Sequence, residues 1–161
     1  MAKSKMVKTN AMRILDSNKI DHKELSYPAD KDHVDGVTVA RSINRDEKEV
    51  FKTLVAQGAS REYFVFVIPV AESLDMKKAA RAAKEKNMEM IHVKDINKVT
   101  GYIRGGCSPI GMKKQFKTFI NSSAEELETM IISAGKIGYQ VELSPADLKE
   151  LTKSEFTDLI K

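Results

Sequence analysis

The residues with the most chemical potential lie together between Thr100 and Lys114, in the stretch T-G-Y-I-R-G-G-C-S-P-I-G-M-K-K. It holds the chain's single cysteine, Cys107, beside a hydroxyl, Ser108, and four of the eight glycines: Gly101, Gly105, Gly106 and Gly111. A thiol or hydroxyl becomes a nucleophile when a base stands beside it. No base partner is evident. His22, His33 and His92 are scattered at neither metal-ligand nor triad spacing, and there is no second cysteine. Cys107 can equally be a small packed residue. What remains is the backbone. Glycines allow close approach and positive φ, and Pro109 stiffens the loop. A rigid loop with exposed N–H groups suits an anion or a developing oxyanion. The same composition also makes an ordinary tight turn.

Two familiar motifs fail on spacing. Gly106 and Gly111 have four residues between them as in a P-loop, but Met112 occupies the lysine position and no Ser or Thr follows Lys113. Ser108 lies in G-x-S-x-x-G, whereas a nucleophile elbow needs G-x-S-x-G. A further candidate is Lys52, which interrupts the apolar run Val50–Val55. A lysine there either reaches solvent or enters a cleft, where desolvation lowers its pKa and its ammonium can face a carbonyl or phosphate.

The chain of 161 residues fits a single domain with a core of its own. One cysteine makes no internal disulfide and suits a reducing cytosol. Met1–Asn10 carries Lys3, Lys5 and Lys8 without an apolar stretch after them, unlike a signal peptide. No apolar run is long enough for a membrane helix. The net charge of +4 is unevenly distributed. Residues 96–124 hold five bases (Lys98, Arg104, Lys113, Lys114, Lys117) and no acid, while 125–161 hold eight acids and four bases. The basic third coincides with the glycine loop and suits a phosphate-rich partner.

These groups need elements to hold them. Thr9 caps a helix to Asn18 with Met12, Ile14 and Leu15 inward. His22–Tyr27 reads as a strand, residues 28–36 as a polar loop and Val37–Ile43 as a short helix. Asp30, Asp32 and Asp35 in that loop miss calcium-loop spacing, and Arg41 stands where Glu is required. Val50–Val55 and Tyr63–Ile68 form a hairpin, the second strand apolar throughout and so buried on both faces. Asp75 caps a helix from Met76 to about Lys86. Met90–Val93 is a strand, and Ile96–Thr100 a helical turn into the glycine loop. Phe116–Ile120 is a strand, with Ser123 capping a turn to Glu128. Met130–Ala134 and Gln140–Leu143 pair around Gly135–Gly138. Ser144 with Pro145 starts a helix to Leu151, and Ser154 caps a last helix. The order predicts an α+β domain with a mixed, strongly twisted or barrel-like sheet.

Three blocks then become recognisable together: Ile68-Pro-Val-Ala-x-x-Leu-Asp-x-Lys-Lys78, the Thr100–Lys114 loop, and Ser133-x-Gly-Lys-x-Gly138 with Glu142-Leu143 downstream. In this order, with Val50-x-Lys52-Thr53-Leu54, they resemble the Cys-tRNA(Pro) deacylase family of YbaK type, related to the editing insertion of bacterial prolyl-tRNA synthetases. The resemblance implies a single α+β domain with a mixed β-barrel. It implies trans-editing hydrolysis of a mischarged aminoacyl-tRNA, chiefly Cys-tRNA(Pro) with Cys-tRNA(Cys) also attacked, in the cytoplasm. Its implied partners are tRNA and prolyl-tRNA synthetase, with no metal or cofactor. It further implies that Lys52 holds the 3′-terminal adenosine region, that Gly105 and Gly106 present N–H groups to the scissile carbonyl, and that Tyr27, Thr53 and Ser133 line the aminoacyl pocket. The substrate's own thiol would attack, so no enzyme nucleophile is required. Lys113 and Lys114 would meet tRNA phosphates. Gln140 stands where Cys-specific members often have Asp, and Cys107 replaces an aliphatic residue. Those departures leave open a deacylase for Ala or another small residue. A non-catalytic tRNA- or synthetase-binding module is the alternative of another class, and an ester hydrolase using Cys107 a third.

Overall fold

The computed structural model describes residues 8–28 and 36–161. Helix α1 (Asn10–Ser17) begins with a capping box. Thr9 Oγ1 accepts from the Met12 N–H at 3.1 Å, and the Met12 sulfur accepts from the Thr9 N–H. Ala11, Met12 and Leu15 form its buried face. Strand β1 (His22–Ser26) follows, and after the undescribed residues comes helix α2 (Gly36–Ser42). The acidic positions Asp30, Asp32 and Asp35 lie outside the described residues.

Strands β2 (Phe51–Gly58) and β3 (Tyr63–Pro69) form the predicted hairpin, paired from Phe51↔Pro69 to Gln57↔Tyr63. Asp75 caps α3 (Met76–Ala83) by accepting from the N–H groups of Lys77 and Lys78, and Lys84 ends it in the left-handed region, earlier than the sequence suggests. Then come β4 (Met88–Met90) and α4 (Ile96–Thr100), followed by the glycine loop and β5 (Lys117–Asn121). The chain closes with β6 (Met130–Ser133), β7 (Tyr139–Leu143), α5 (Pro145–Thr152) and β8 (Glu155–Thr157).

The strands make two sheets. One has the order β4-β2-β3-β5-β8, with β3, β5 and β8 parallel to each other and β2 antiparallel to both its neighbours. The other is antiparallel, in the order β1-β7-β6. The α+β expectation is met, with the sheets left unclosed rather than curled into a barrel. They touch through an isolated bridge, Val50↔Ile131, where the Ile131 N–H donates to the Glu49 carbonyl at 2.8 Å. One bridge joins the sheets without continuing a ladder around them.

Three apolar clusters fix the layers. The largest joins Phe51, Val55, Val65, Val67 and Ile120 of the large sheet to Met130, Ile132, Val141 and Leu143 of the small one, with α1 on its edge. A second packs Phe66, Ile68 and Phe119 against Ala79, Ala80 and Ala83 of α3. A third, of Ala40, Val50, Val70 and Ile131 with Val37 and Ile43 against it, lies under α2. As the continuous apolar run predicts, β3 sits between β2 and β5 and is buried from Phe64 to Pro69.

Three local expectations are corrected. Met90–Val93 is not a strand: β4 ends at Met90, and Val93–Asp95 is a 3-10 turn. Ser123 does not cap its turn; its hydroxyl accepts from Asn121 Nδ2 instead. The last helix from Ser154 does not form. Lys153 turns left-handed, and Glu155–Thr157 pair with Phe119–Asn121, so sheet hydrogen bonds override a local capping signal.

Candidate active site

Lys52 and Thr53 sit near the start of β2, where alternation sends them to opposite faces. Both nevertheless line one cavity of about 100 Å³, at the start of β2 where the two sheets meet. Tyr27, just past β1, closes one side, its backbone held by a 2.9 Å bond from its N–H to the Gly138 carbonyl. Ser133 and Gln140, directly paired between β6 and β7, supply the small sheet's part. Gly105 and Cys107 bring in the glycine loop. Residues far apart in the chain, and singled out from the sequence, thus share one space. The cavity's apolar wall, which no local motif signals, is Val39 of α2 with Val50, Phe51 and Val70.

The glycine loop is held in shape by its neighbours. Tyr102 donates to the Ile110 carbonyl, and the Thr100 hydroxyl accepts from the Tyr102 N–H at 3.0 Å. Gly105 has φ 88, a left-handed conformation that favours glycine, and it is exposed at the cavity. Its N–H has no partner among the described residues. Gly106 differs. It is buried, its N–H donates to the Ile103 carbonyl at 2.9 Å, and a Cβ there would lie 3.0 Å from the Ile137 nitrogen. The expectation of two free N–H groups is therefore corrected to one. Gly106 lets the loop press against the Lys136–Ile137 turn.

Electrostatics separates the candidate groups. Lys52 is half-buried, and desolvation lowers its pKa against a small opposing pull from Glu72. Burial pushes the Cys107 thiol up to about 11, which keeps it protonated near neutrality. Ser108 is fully buried and accepts from the Ile110 N–H at 3.1 Å; Ser133 Oγ accepts from the Gly135 N–H at 3.1 Å. The two serines help shape their loops. Thr53 Oγ1 and Gln140 Oε1, by contrast, are shielded from solvent and have no hydrogen-bond partner among the described residues.

The wall made by α2 depends on a long-range ion pair that local sequence does not signal. Just after α2, the Arg45 N–H donates to the Ala40 carbonyl at 2.9 Å. The guanidinium then grips Glu142 of β7 with two bonds, 2.8 and 2.7 Å, and reaches Glu49 at 3.0 Å. Thr129 donates to the same Glu142 carboxylate. These bonds, Arg45 foremost, hold the Glu142 pKa down at about 2. Glu142 and Gln140 lie on one face of β7, two residues apart.

Lys113 and Lys114 are exposed and lie outside the cavity lining. Lys113 Nζ donates to the Lys98 carbonyl at 3.3 Å. His22 bonds the Ile20 carbonyl, and His92 is exposed. Among the described residues no three His, Cys, Asp or Glu side chains gather as a metal site, and no helix is long and apolar enough to cross a membrane.

The sequence and the fold have known counterparts. The chain is 45% identical over 160 residues, 99% of its length and 98% of the relative's, to EbsC of Enterococcus faecalis (strain ATCC 700802 / V583), named as a candidate Cys-tRNA(Pro)/Cys-tRNA(Cys) deacylase. Its fold matches a crystal structure described as that of a candidate trans-editing enzyme for prolyl-tRNA synthetase, with a TM-score of 0.79 at 19% identity, covering 95% of this chain and 98% of that one. It also matches the protein APE2540, with a TM-score of 0.83 at 18% identity over 92% and 97% of the two chains. The profile of the aminoacyl-tRNA editing domain matches residues 33–151, and the chain belongs to that family.

Proposed function

We propose that this protein is an aminoacyl-tRNA deacylase that hydrolyses mischarged tRNA(Pro), with Cys-tRNA(Pro) its main substrate and Cys-tRNA(Cys) a second. One observation carries the reading: Lys52, Gly105, Tyr27, Thr53, Ser133 and Gln140 converge on one small cavity. The 45% identity to the E. faecalis protein across nearly the full length of both chains supports the substrate. The structural likeness to a trans-editing protein supports prolyl-tRNA synthetase as partner. The whole chain acts as one editing unit.

In this reading Lys52 binds the 3′-terminal phosphate or sugar of the tRNA. A partly desolvated ammonium attracts an anion more strongly than one in bulk water. The Gly105 N–H donates to the ester carbonyl and strengthens that bond as the oxygen becomes an oxyanion. Gly106 sets the loop's position. The substrate's thiol loses its proton and attacks its own carbonyl. The carbon–sulfur bond forms, the ester carbon–oxygen bond breaks, and the tRNA 3′-oxygen takes up a proton. The cyclic thioester released is then opened by water. The protonated Cys107 thiol and the engaged serine hydroxyls agree with a route that uses no enzyme nucleophile. Lys113 and Lys114 meet tRNA phosphates outside the cavity.

The test is release of amino acid from Cys-, Ala- and Ser-tRNA(Pro) by the purified protein. Rapid release from the cysteinyl ester is expected. Hydrolysis of none of the three removes the reading, and preference for the alanyl ester replaces the thiol route with attack by water.

A further inference from the structure

A developing oxyanion has room for two donors, and the glycine loop supplies one. A carbonyl oxygen carries two lone pairs, and oxyanion sites draw their donors from backbone N–H groups or from side chains such as Asn and Gln. The Gly105 N–H is free at the cavity among the described residues. The Gly106 N–H is engaged by the Ile103 carbonyl. A second donor has to come from another part of the wall.

Gln140 meets that requirement. It lines the cavity and is only 6% exposed. The two ends of its amide differ. Oε1 is shielded from solvent, without a partner among the described residues. Nε2 is the accessible end, and it too has no partner there. Turning the amide over would bury two unpaired N–H bonds in place of one unpaired oxygen, at greater cost. The cavity therefore receives a donor from Gln140, not an acceptor.

The chain puts this donor on the same side as the glycine loop. Gln140 pairs with Ser133 beside the turn that joins β6 and β7. The Ala134 N–H closes that turn on the Tyr139 carbonyl at 3.0 Å. The glycine loop presses on the same turn, where a Cβ at Gly106 would meet the Ile137 nitrogen. Gly105 and Gln140 are thus anchored on one hairpin, while Lys52 stands on β2. Two residues along from Gln140, the Arg45 grip on Glu142 pins β7. Donors fixed in advance need no reorganisation when charge develops. A small aminoacyl ester offers them one acceptor that gains charge as the sulfur adds, its carbonyl oxygen. A donor aimed there strengthens in the transition state.

Resting on the deacylase reading above, we propose that the Gln140 amide N–H is the second oxyanion donor, completing with the Gly105 N–H the site that holds the ester carbonyl oxygen. The amide gives up no proton and forms no covalent bond. A carboxylate at position 140 would have no hydrogen to donate and would repel the oxyanion.

The experiment measures single-turnover deacylation of Cys-tRNA(Pro) and, separately, affinity for a non-hydrolysable ground-state mimic, cysteine joined to adenosine by a 3′-amide. Gln140→Met keeps the length of the side chain and removes the donor. Its rate should fall about 10²-fold, the low end for one oxyanion donor. Binding of the mimic should stay within a few-fold of wild type. The melting temperature should hold or rise, since a buried unpaired oxygen is removed. Gln140→Glu should be at least as slow at neutral pH. Its rate relative to wild type should climb as pH falls and the carboxyl regains an O–H donor, a recovery that packing alone does not produce. This second variant decides the matter should the first fail to fold. A rate within a few-fold of wild type in Gln140→Met overturns the proposal, as does a ratio in Gln140→Glu that stays flat with pH. A loss of affinity for the mimic as large as the loss of rate also overturns it, because Gln140 would then bind the ground state equally. A loss of rate confined to Ser133→Ala would give the second donor to that hydroxyl. Failure of the underlying reading looks different: the wild type itself would leave Cys-tRNA(Pro) intact, and the proposal falls with it.

Discussion

The cavity has two walls made in different ways. The β2 wall carries Lys52 and Thr53 on a strand paired with β3 along most of its length, from Phe51 to Gln57. Beyond it the Val70 N–H closes on the Val50 carbonyl at 2.9 Å. Moving Lys52 means breaking a ladder. The α2 wall is a seven-residue helix. Isolated helices shorter than about 12 residues are marginal in water, so α2 relies on its tertiary contacts. Those are a small apolar cluster and the Arg45–Glu142 ion pair. The molecule thus puts its charged group on the wall that cannot slip, and part of the cavity's shape on a wall that can be released. Substitutions on the first should change chemistry with the fold intact, and substitutions at the second should change stability and binding together.

The largest effect should come from Lys52→Ala. Removing one preorganised electrostatic interaction costs about 10²- to 10³-fold in rate, and here the melting temperature should barely move. The comparison would collapse if Lys52→Ala unfolded the protein or retained full kcat/KM with cysteinyl-tRNA(Pro). Because burial lowers the Lys52 pKa, kcat/KM should decline on the alkaline side earlier than for an exposed lysine. A pH profile extended above neutrality measures that limb, and Lys52→Arg should move it to higher pH.

Next in size is Arg45→Ala. Removing one partner of a buried ion pair costs about 3 kcal/mol or more, and the partial solvation of Arg45 puts this case at the low end. KM should rise more than kcat falls, since α2 would loosen without displacing Lys52. Arg45→Lys should fall between, as an ammonium cannot grip both carboxylate oxygens in a fork. Urea melts with steady-state kinetics on both variants separate these outcomes. Acid gives an independent route. Glu142 holds its proton off down to about 2 in the folded state, while an unfolded glutamate binds a proton near 4.5. The unfolded state then takes up the extra proton as pH falls below about 4.5, so the pair's stabilisation is present above that value and disappears towards about 2. Glu142→Gln should remove this part of the acid transition.

What the sequence made legible follows the same division. The Asp75 and Ser144–Pro145 caps and the pairing of the β2–β3 hairpin depend on local chemistry and stand as expected, although β2 runs three residues further, to Gly58. The direction of Lys52 was not legible, because alternation along β2 allows a face towards solvent or towards a cleft until the small sheet is in place. Arg45 and Glu142 lie 97 residues apart, and neither stands in a local pattern that implies the other. Ser154 followed by Glu155 has the local form of a helix start, yet a free edge on β5 drew the segment into the sheet. The Gly106 N–H departs from the expectation for a similar reason, since a dipeptide of glycines does not say which of its donors the loop itself will use.

A smaller effect is expected outside both walls. Lys114 is exposed, and Lys113 bonds to the Lys98 carbonyl rather than to an acid. The double variant Lys113→Ala, Lys114→Ala should raise KM for tRNA and reduce the salt slope of binding by about one unit for each phosphate that is no longer neutralised. Binding of a non-hydrolysable conjugate, cysteine joined to adenosine by a 3′-amide, should stay the same. Equal weakening towards conjugate and tRNA would bring these lysines into the cavity's own workings and blur the contrast with Lys52.

The smallest effect should come from Cys107→Ala, although this residue lines the cavity and is the chain's one thiol. Burial keeps it protonated well above neutral pH, with Thr100 hydrogen bonding as a lesser influence in the opposite direction. A nucleophilic cysteine needs its thiolate at working pH, and this environment withholds it. Trimming the partly buried sulfur should cost about 1 kcal/mol of stability and leave kcat with cysteinyl-tRNA(Pro) within a few-fold of wild type. Iodoacetamide should label the native protein slowly at pH 7 and faster as pH approaches 11. Rapid labelling at pH 7 with a parallel fall in activity, or a large drop in kcat in Cys107→Ala, would move the attacking sulfur from the substrate to the glycine loop and make that loop, rather than β2, the wall that carries the chemistry.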